Sequence, residues 1–252
     1  MTAMTTGRYV GVAAILLGPV SASVGEAVGS TGAGVTTGVI ALGASISALE
    51  VVPLALIGLE AHETWKSSRA TPWMQQYKWP IMFFLAVSFW NLIGAGLLGF
   101  LINTPIALYF MQGTNLTAAH GHTALFGVYG MLGIGLMLYC LRGLKPDVVW
   151  REGLIRSAFW SFNIGLTLMT VLTLLPLGVL QLEASMEVGY WYARSAEFMD
   201  RPIVDVLVWL RTPGDVVFAV GALLIAAFVA SLWLPSRKTA VPVPEAALTR
   251  EG

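Results

Sequence analysis

Six apolar runs, each of roughly 20 residues, alternate with polar stretches along the chain, and a run of that length can cross a bilayer as an α-helix. The runs cover residues 9–28, 35–59, 79–103, 116–141, 157–180 and 216–234. The first is the weakest, because it is rich in Gly, Ala and Ser and carries Glu26 near its end. The pattern predicts an all-α, polytopic membrane bundle of about six transmembrane helices.

Composition agrees with this pattern, since 56% of the residues are hydrophobic and only 11% are charged. A soluble domain carries about a quarter charged residues. The formal net charge is zero, so no basic surface is expected for a nucleic-acid partner. Cys140 is the one cysteine, which excludes an internal disulfide and a cysteine-based zinc site. We expect Cys140 to be a buried small apolar residue.

The distribution of charge orients the predicted bundle. Basic residues lie in the loops after the second and fourth runs and in the tail: Lys66, Arg69, Lys78, Arg142, Lys145, Arg151, Arg156, Arg237 and Lys238. The opposite loops are neutral or, at 181–215, acidic overall. Under the positive-inside rule the basic ends face the cytoplasm, and six spans then place both termini there. Residues 237–252 are predicted to form a disordered cytoplasmic tail.

Two histidines, His120 and His122, lie inside the fourth apolar run. Each residue of an α-helix turns the side chain by about 100°, so positions i and i+2 point to nearly opposite faces. Such a pair cannot chelate one metal from one helix, but it can offer an axial ligand to a different haem on each side. The alternative is that both imidazoles are hydrogen-bonded to backbone carbonyls and serve only the structure.

Three other polar residues lie in or near the apolar runs. Glu50 lies mid-span in the second run, where it is either a neutral group bonded to a neighbouring helix or part of a proton relay. Asn91, in the third run, is expected to link helices rather than bind a ligand. His62, beside Glu60 and Glu63, is expected to be a solvated interfacial histidine.

Three segments resemble the catalytic subunit of bacterial nitric oxide reductases, which are relatives of the haem-copper oxidases. Residues 117–131, TAAHGHTALFGVYGM, are similar to the tenth helix of that family, and residues 47–54, SALEVVPL, are similar to its eighth helix. Residues 180–215 are most similar to the single-chain, quinol-oxidising branch. The resemblance covers roughly residues 38 to 236.

The resemblance implies roles for three residues. His120 would be the proximal ligand of high-spin haem b3, and His122 one of two axial ligands of low-spin haem b. Glu50 matches a family glutamate near the catalytic centre that is implicated in proton delivery. The implied reaction is 2 NO + 2 e⁻ + 2 H⁺ → N₂O + H₂O, with electrons from quinol. It runs between haem b3 and a non-haem iron that is held by three histidines and a glutamate.

The chain departs from this family pattern in its length and in its histidines. Family members have twelve to fourteen spans, and the non-haem iron needs three further histidines, of which only His62 remains. Residues 25–34, where the family carries a His-His pair, contain no histidine, and the second axial ligand of haem b is absent too. We therefore expect a fragment, a split gene product, or a chain that pairs with a complementary N-terminal half or another membrane subunit.

The resemblance implies the following organisation and location. Residues 1–34 form a weak first helix and outer loop, residues 35–236 form reductase-like membrane helices, and residues 237–252 form the tail. The expected location is the bacterial inner membrane. Three alternatives remain open: a non-catalytic haem-binding remnant or accessory protein, an oxygen-reducing relative, and a transporter-like bundle in which Glu50 is a proton site and the histidines bind no haem.

Overall fold

The computed structural model describes residues 76–234, which form helices and contain no strand. The helices are α1 (Lys78–Asn103), α2 (Pro105–Met111), α3 (Asn115–Leu144), α4 (Glu152–Glu187), α5 (Ala196–Met199), α6 (Pro202–Trp209) and α7 (Arg211–Ser231). Within this range α1, α3, α4 and the continuous pair α6–α7 are each long and apolar enough to cross a membrane. The predicted all-α membrane bundle is confirmed for the last four spans. The first two, with Glu50 and His62, lie outside the described residues.

Three of the long helices contain a turn of wider, π-helical geometry. These turns are Asn91–Leu97 in α1, Leu125–Gly130 in α3 and Thr170–Leu174 in α4. The turn in α4 directly precedes Pro176, whose ring cannot fit the regular hydrogen-bond ladder of an α-helix. A wide turn loosens the backbone ladder and leaves carbonyl groups available to other donors, which is one reason such turns occur at functional sites.

An aromatic core fills the half of the bundle where α1, α3, α4 and α7 meet. Phe83 and Phe228 are completely buried, and Phe159 packs edge-on against Phe83 with ring centroids 5.2 Å apart. The interlocked rings fix the positions of α1 and α4, since edge-to-face pairs of this kind add stability beyond simple burial. The outward faces carry large apolar side chains, as expected for helices that contact lipid.

Helices α4 and α7 pack more extensively than any other pair in the described bundle. A Cβ atom added at Gly165 would lie 2.7 Å from the backbone nitrogen of Phe218, and one added at Gly214 would lie 2.7 Å from that of Met169. The two glycines therefore allow direct backbone contact, which is the usual way that membrane helices approach closely. The contact fixes the start of α7, including Arg211, relative to the rest of the bundle.

Two sequence expectations are corrected by the structure. The sequence predicts loops at 104–115 and 181–215, but these stretches contain α2, the end of α4, α5 and α6. Local signals explain part of this difference: the Ser195 hydroxyl caps α5 by accepting a bond from the amide of Phe198, and Pro202 begins α6. Cys140, which the sequence predicts to be buried, is exposed on the outer face of α3.

Candidate functional site

The histidine-bearing end of α3 is fixed by hydrogen bonds to its neighbours. The Thr114 hydroxyl caps the helix by accepting a bond from the amide of Leu116 at 3.3 Å. The buried side chain of Gln181 in α4 accepts from both the backbone amide and the side-chain amide of Asn115, at 2.7 and 2.9 Å. Because these bonds join the start of α3 to α4, the rotation of α3 about its axis is set close to His120.

His120 points from α3 to α1. Its Nδ1 lies 2.8 Å from the carbonyl oxygen of Gly94, which belongs to the wide turn of α1. A carbonyl oxygen can only accept, so Nδ1 carries the proton, and in the neutral ring Nε2 carries the lone pair. Within the described part of the chain, Nε2 takes part in no hydrogen bond. The imidazole is therefore oriented by one nitrogen and has the other available.

Small residues on α1 make the space that His120 occupies. A Cβ atom at Gly99 would lie 3.1 Å from Cε1 of His120 and 3.9 Å from its Nε2. A Cβ atom at Gly94 would lie 2.4 Å from Cβ of Thr123, which is on the same face of α3. The glycines of α1 therefore let the imidazole lie against the helix backbone. In the structure these glycines border the histidine.

His122 points away from α1, to the start of α7. Its Nδ1 lies 2.8 Å from the carbonyl oxygen of Ala118, one turn earlier in α3, and its Nε2 lies 3.2 Å from Nη2 of Arg211. Arginine can only donate, so Nδ1 of His122 carries the proton and Nε2 accepts. The guanidinium is held in turn by Asp215, whose two carboxylate oxygens lie 3.0 and 3.2 Å from its Nε.

The two histidines contact different helices, as their spacing predicted. Both also donate to a backbone carbonyl, which was the alternative to metal binding. The two interpretations are compatible, because a histidine that binds a metal through one nitrogen normally donates the other N–H to a carbonyl or carboxylate. The carbonyl contacts therefore do not separate a ligand from a structural histidine. The two roles differ at Nε2, which must have a lone pair available in a histidine that binds a metal.

By that criterion, the residues fit an axial ligand at His120 and do not fit one at His122 as it stands. Nε2 of His120 has a lone pair, an oriented ring and a neighbouring glycine surface that a Cβ atom would fill. Nε2 of His122 already accepts a hydrogen bond from a cation. Residues 76–234 contain no group of three His, Cys, Asp or Glu side chains that could hold a metal ion. Glu50, the third candidate, lies outside the described residues.

A cavity of about 490 Å³ lies between α1 and α4, away from the two histidines. Its lining is mostly apolar and includes Met82, Phe89 and Trp160. At its edge the indole N–H of Trp90 donates to Oδ1 of Asn163 at 2.9 Å. This bond links α1 to α4, the role that we expected of the neighbouring Asn91. The cavity is an apolar groove that borders the aromatic core and contains no candidate ligand.

Sequence reasoning missed Arg211 and Asp215. Their spacing of four residues on a helix is a recognisable signal for an ion pair on one face. What the spacing could not indicate is the contact with His122, which lies 89 positions earlier. That contact depends on the packing of α3, α4 and α7.

Comparison with known proteins relates the chain to a family and to a curated protein. Residues 30–217 match the sequence profile of the family described as cytochrome c and quinol oxidase polypeptide I. Over 147 residues the chain is 31% identical to a nitric oxide reductase subunit of Stutzerimonas stutzeri. That alignment covers 51% of this chain and 28% of the relative, so the chain spans little more than a quarter of the length of this curated protein.

Proposed function

The chain belongs to the cytochrome c and quinol oxidase polypeptide I family, the haem-copper oxidases, and from that premise we propose that it is the C-terminal portion of a membrane nitric oxide reductase. It is a multi-pass redox membrane protein whose family uses haem cofactors. The proposed reaction converts two NO molecules to N₂O with electrons from quinol. In it, this chain supplies axial haem ligands. The named relative, a nitric oxide reductase subunit, supports the assignment to nitric oxide reduction.

The observation that carries the proposal is the state of the His120 ring. Its Nδ1–H donates to the Gly94 carbonyl at 2.8 Å, and its Nε2 keeps a lone pair with no partner among the described residues. This is the arrangement of a metal-binding histidine with its supporting carbonyl. A haem bound there would supply the iron that binds NO and takes up electrons. We assign His120 to high-spin haem b3.

The proposal also gives roles to His122 and Glu50. We assign His122 to low-spin haem b, with its second axial ligand from another chain, and Glu50 to proton delivery. A mid-span carboxyl group is costly unless it is neutral or lines a water path, which supports the role of Glu50 in a relay. In this proposal residues 35–236 form the reductase-like unit, preceded by 1–34 and followed by a cytoplasmic tail at 237–252.

A complementary membrane chain is part of the proposal. The sequence has three histidines in all, which is too few for the three axial ligands of the two haems and the three histidines of the iron site. We propose an N-terminal half or another membrane subunit as the source of the missing ligands. The same shortage of histidines favours a second candidate function, a haem-binding membrane protein without catalytic activity. The reductase consumes NO, and the non-catalytic protein does not.

We place the protein in the bacterial inner membrane. Among the described residues, Arg142 and Lys145 at the end of α3, and Arg151 before α4, lie at one end of the bundle. Acidic residues such as Glu183 and Glu187 lie at the opposite end. Under the positive-inside rule the first end faces the cytoplasm, which agrees with both termini being cytoplasmic.

The test is a purification of the chain from membranes, alone and together with a complementary N-terminal half. We expect a b-type Soret band in both preparations and NO consumption only when both halves are present. A preparation that contains haem but consumes no NO, whether or not the complementary half is present, supports the non-catalytic candidate. Consumption of O₂ in place of NO selects an oxygen-reducing relative. A colourless preparation, under conditions in which the chain is folded and inserted, overturns every haem assignment.

Gly99→Ala provides a finer check on the assignment of His120. The added methyl would lie 3.1 Å from Cε1 of the imidazole, so the ring must shift by a few tenths of an ångström, which disturbs its bond to the Gly94 carbonyl. We expect haem affinity at this site to fall about tenfold, as for other changes to the groups that orient a metal ligand. Haem titration followed at the Soret band measures the effect. Gly121→Ala is the control, because Gly121 lies between the two histidines and, among the described residues, no other helix lies within 4 Å of its added methyl.

A further inference from the structure

The cavity between α1 and α4 is separate from the two histidines and has the features of a small-molecule site. Its volume of about 490 Å³ lies within the range of roughly 300–1,000 Å³ that such sites have. Among the described residues that line it there is no charged side chain. Phe89 of α1 and Trp160 of α4 form part of its wall and are 52% and 54% exposed, so a molecule dissolved in the bilayer can enter from the outer face of the bundle.

Two polar side chains of α4, Asn163 and Thr167, line the cavity one helical turn apart. Oδ1 of Asn163 accepts the indole N–H of Trp90 at 2.9 Å, and its Nδ2 donates to the carbonyl oxygen of Phe159 at 2.7 Å. The hydroxyl of Thr167 donates to the carbonyl oxygen of Asn163 at 2.7 Å. Among the described residues neither side chain makes a further hydrogen bond. Since an amide nitrogen has two N–H groups and a hydroxyl oxygen also accepts, one donor and one acceptor remain in the cavity.

Both groups lie at the depth of the hydrocarbon core. Arg156 is the last charged residue in the first turns of α4, and no charged residue follows it until Glu183. At about 1.5 Å per residue, Asn163 lies about 10 Å and Thr167 about 16 Å further along the helix than Arg156. The hydrocarbon core is about 30 Å thick, and the head groups of phospholipids stay outside it. A phospholipid therefore presents only its acyl chains to the cavity and leaves the remaining donor and acceptor unpaired, which is costly in hydrocarbon.

A flat ring that carries a hydroxyl group satisfies both remaining groups. Its oxygen accepts from Nδ2 of Asn163, and its O–H donates to Oγ1 of Thr167. The aromatic side chains of Phe89 and Trp160 suit such a ring, because aromatic groups pack well in stacked or edge-on pairs. A hydrocarbon tail on the ring leaves through the exposed side of the cavity into the bilayer.

We propose that this cavity binds the ring of a neutral hydroquinone with a hydrocarbon tail, and that Asn163 and Thr167 bond one of its hydroxyl groups. The absence of charge in the described lining favours a neutral ligand. The remaining donor and acceptor select a hydroxyl group over a carbonyl or ether oxygen, which can only accept. The identity of this ligand with the quinol of the NO reaction rests on the proposed function. The binding itself does not, and it is tested without turnover.

The first experiment measures binding of a radiolabelled decyl hydroquinone to the full chain in phosphatidylcholine nanodiscs, without oxygen and with empty nanodiscs as the blank. We expect saturable binding that Thr167→Val weakens about tenfold, because removal of one partner of a buried hydrogen bond leaves the other unsatisfied. Thr170→Val is the matched control: its hydroxyl makes the same bond to the carbonyl four residues earlier, at 2.8 Å, but does not line the cavity. The dimethyl ether of the hydroquinone cannot donate. It should bind the native chain about tenfold more weakly than the hydroquinone does, and Thr167→Val should weaken it no further.

A second pair of variants locates the site. Ile164→Trp places a large ring in the cavity from α4, and we expect it to abolish the saturable binding. Val179→Trp is its control, since Val179 is also a β-branched residue of α4 but lies outside the cavity lining. The two positions are 47% and 54% exposed, so neither tryptophan has to enter the core.

The inference is overturned by binding no greater than that of empty nanodiscs, by equal loss in Thr167→Val and Thr170→Val, or by unchanged binding in Ile164→Trp. Equal affinity of the native chain for the hydroquinone and its dimethyl ether also overturns it and identifies a groove for acyl chains. NO consumption with a reduced dye as electron donor tests the proposed function separately. If the two halves consume NO with the dye and the chain does not bind the hydroquinone, only this inference fails. If the hydroquinone binds and NO is consumed with no donor, only the proposed function fails.

Discussion

His120→Ala is expected to remove the high-spin haem from the proposed two-part reductase, and His122→Ala to remove the low-spin haem, each leaving the other cofactor in place. The physical reason is that the rings contact different helices, α1 through Gly94 and α7 through Arg211. Loss of an axial ligand should weaken haem binding at least about 100-fold, because even changes to supporting groups cost 10- to 100-fold. Haem content, optical spectra and EPR spectra of both variants measure the effect.

Gly121→Ala is again the control, because a methyl at this position contacts no other helix among the described residues within 4 Å. It should keep both haem signals. Loss of the same signal in both histidine variants would contradict the assignment of one ring to each iron. Loss of both signals in either variant would mean that the two sites assemble together, and melting temperatures of the haem-free proteins would identify a folding defect as the cause.

The sequence predicted the membrane helices well because a bilayer imposes a simple constraint. Every backbone polar group in hydrocarbon must be satisfied within its own helix, so an apolar run of sufficient length has few alternatives. The predicted run 79–103 became α1 (Lys78–Asn103), and 116–141 became part of α3 (Asn115–Leu144). The opposite directions of His120 and His122 also followed from the sequence, since they depend on helix geometry alone.

The partners of those histidines could not be predicted in the same way. The acceptor for His120 is the backbone oxygen of Gly94, and a carbonyl group has no signature in the sequence. The donor to His122 is visible as an arginine, but the packing of α4 on α7 decides where it points. Within the described residues a link between α1 and α4 comes from Trp90, which donates to Asn163, and a linking role for the neighbouring Asn91 stays a prediction.

Glu50→Gln is expected to slow NO reduction by about 100-fold or more in the proposed two-part reductase while both haems remain bound. Proton transfer by a positioned side chain contributes 10²- to 10⁴-fold to a rate, and glutamine keeps the size and some of the hydrogen bonding of glutamate without a proton to transfer. Glu50 lies mid-span in the apolar run 35–59, where an ionised carboxylate is costly and a neutral, protonated one is not. Turnover and haem content must be measured on the same preparation.

Three results of this experiment have distinct physical meanings. Wild-type turnover with intact spectra would reduce Glu50 to a neutral hydrogen-bonding group that glutamine can replace. Lost haem would mean that the carboxyl group holds the site together, because removal of one partner from a buried hydrogen bond leaves the other unsatisfied. Glu60→Gln is a suitable control, since Glu60 follows the same apolar run and precedes His62 in a charged stretch. Slow turnover with intact haem, at Glu50 and not at Glu60, is the result that a proton relay requires.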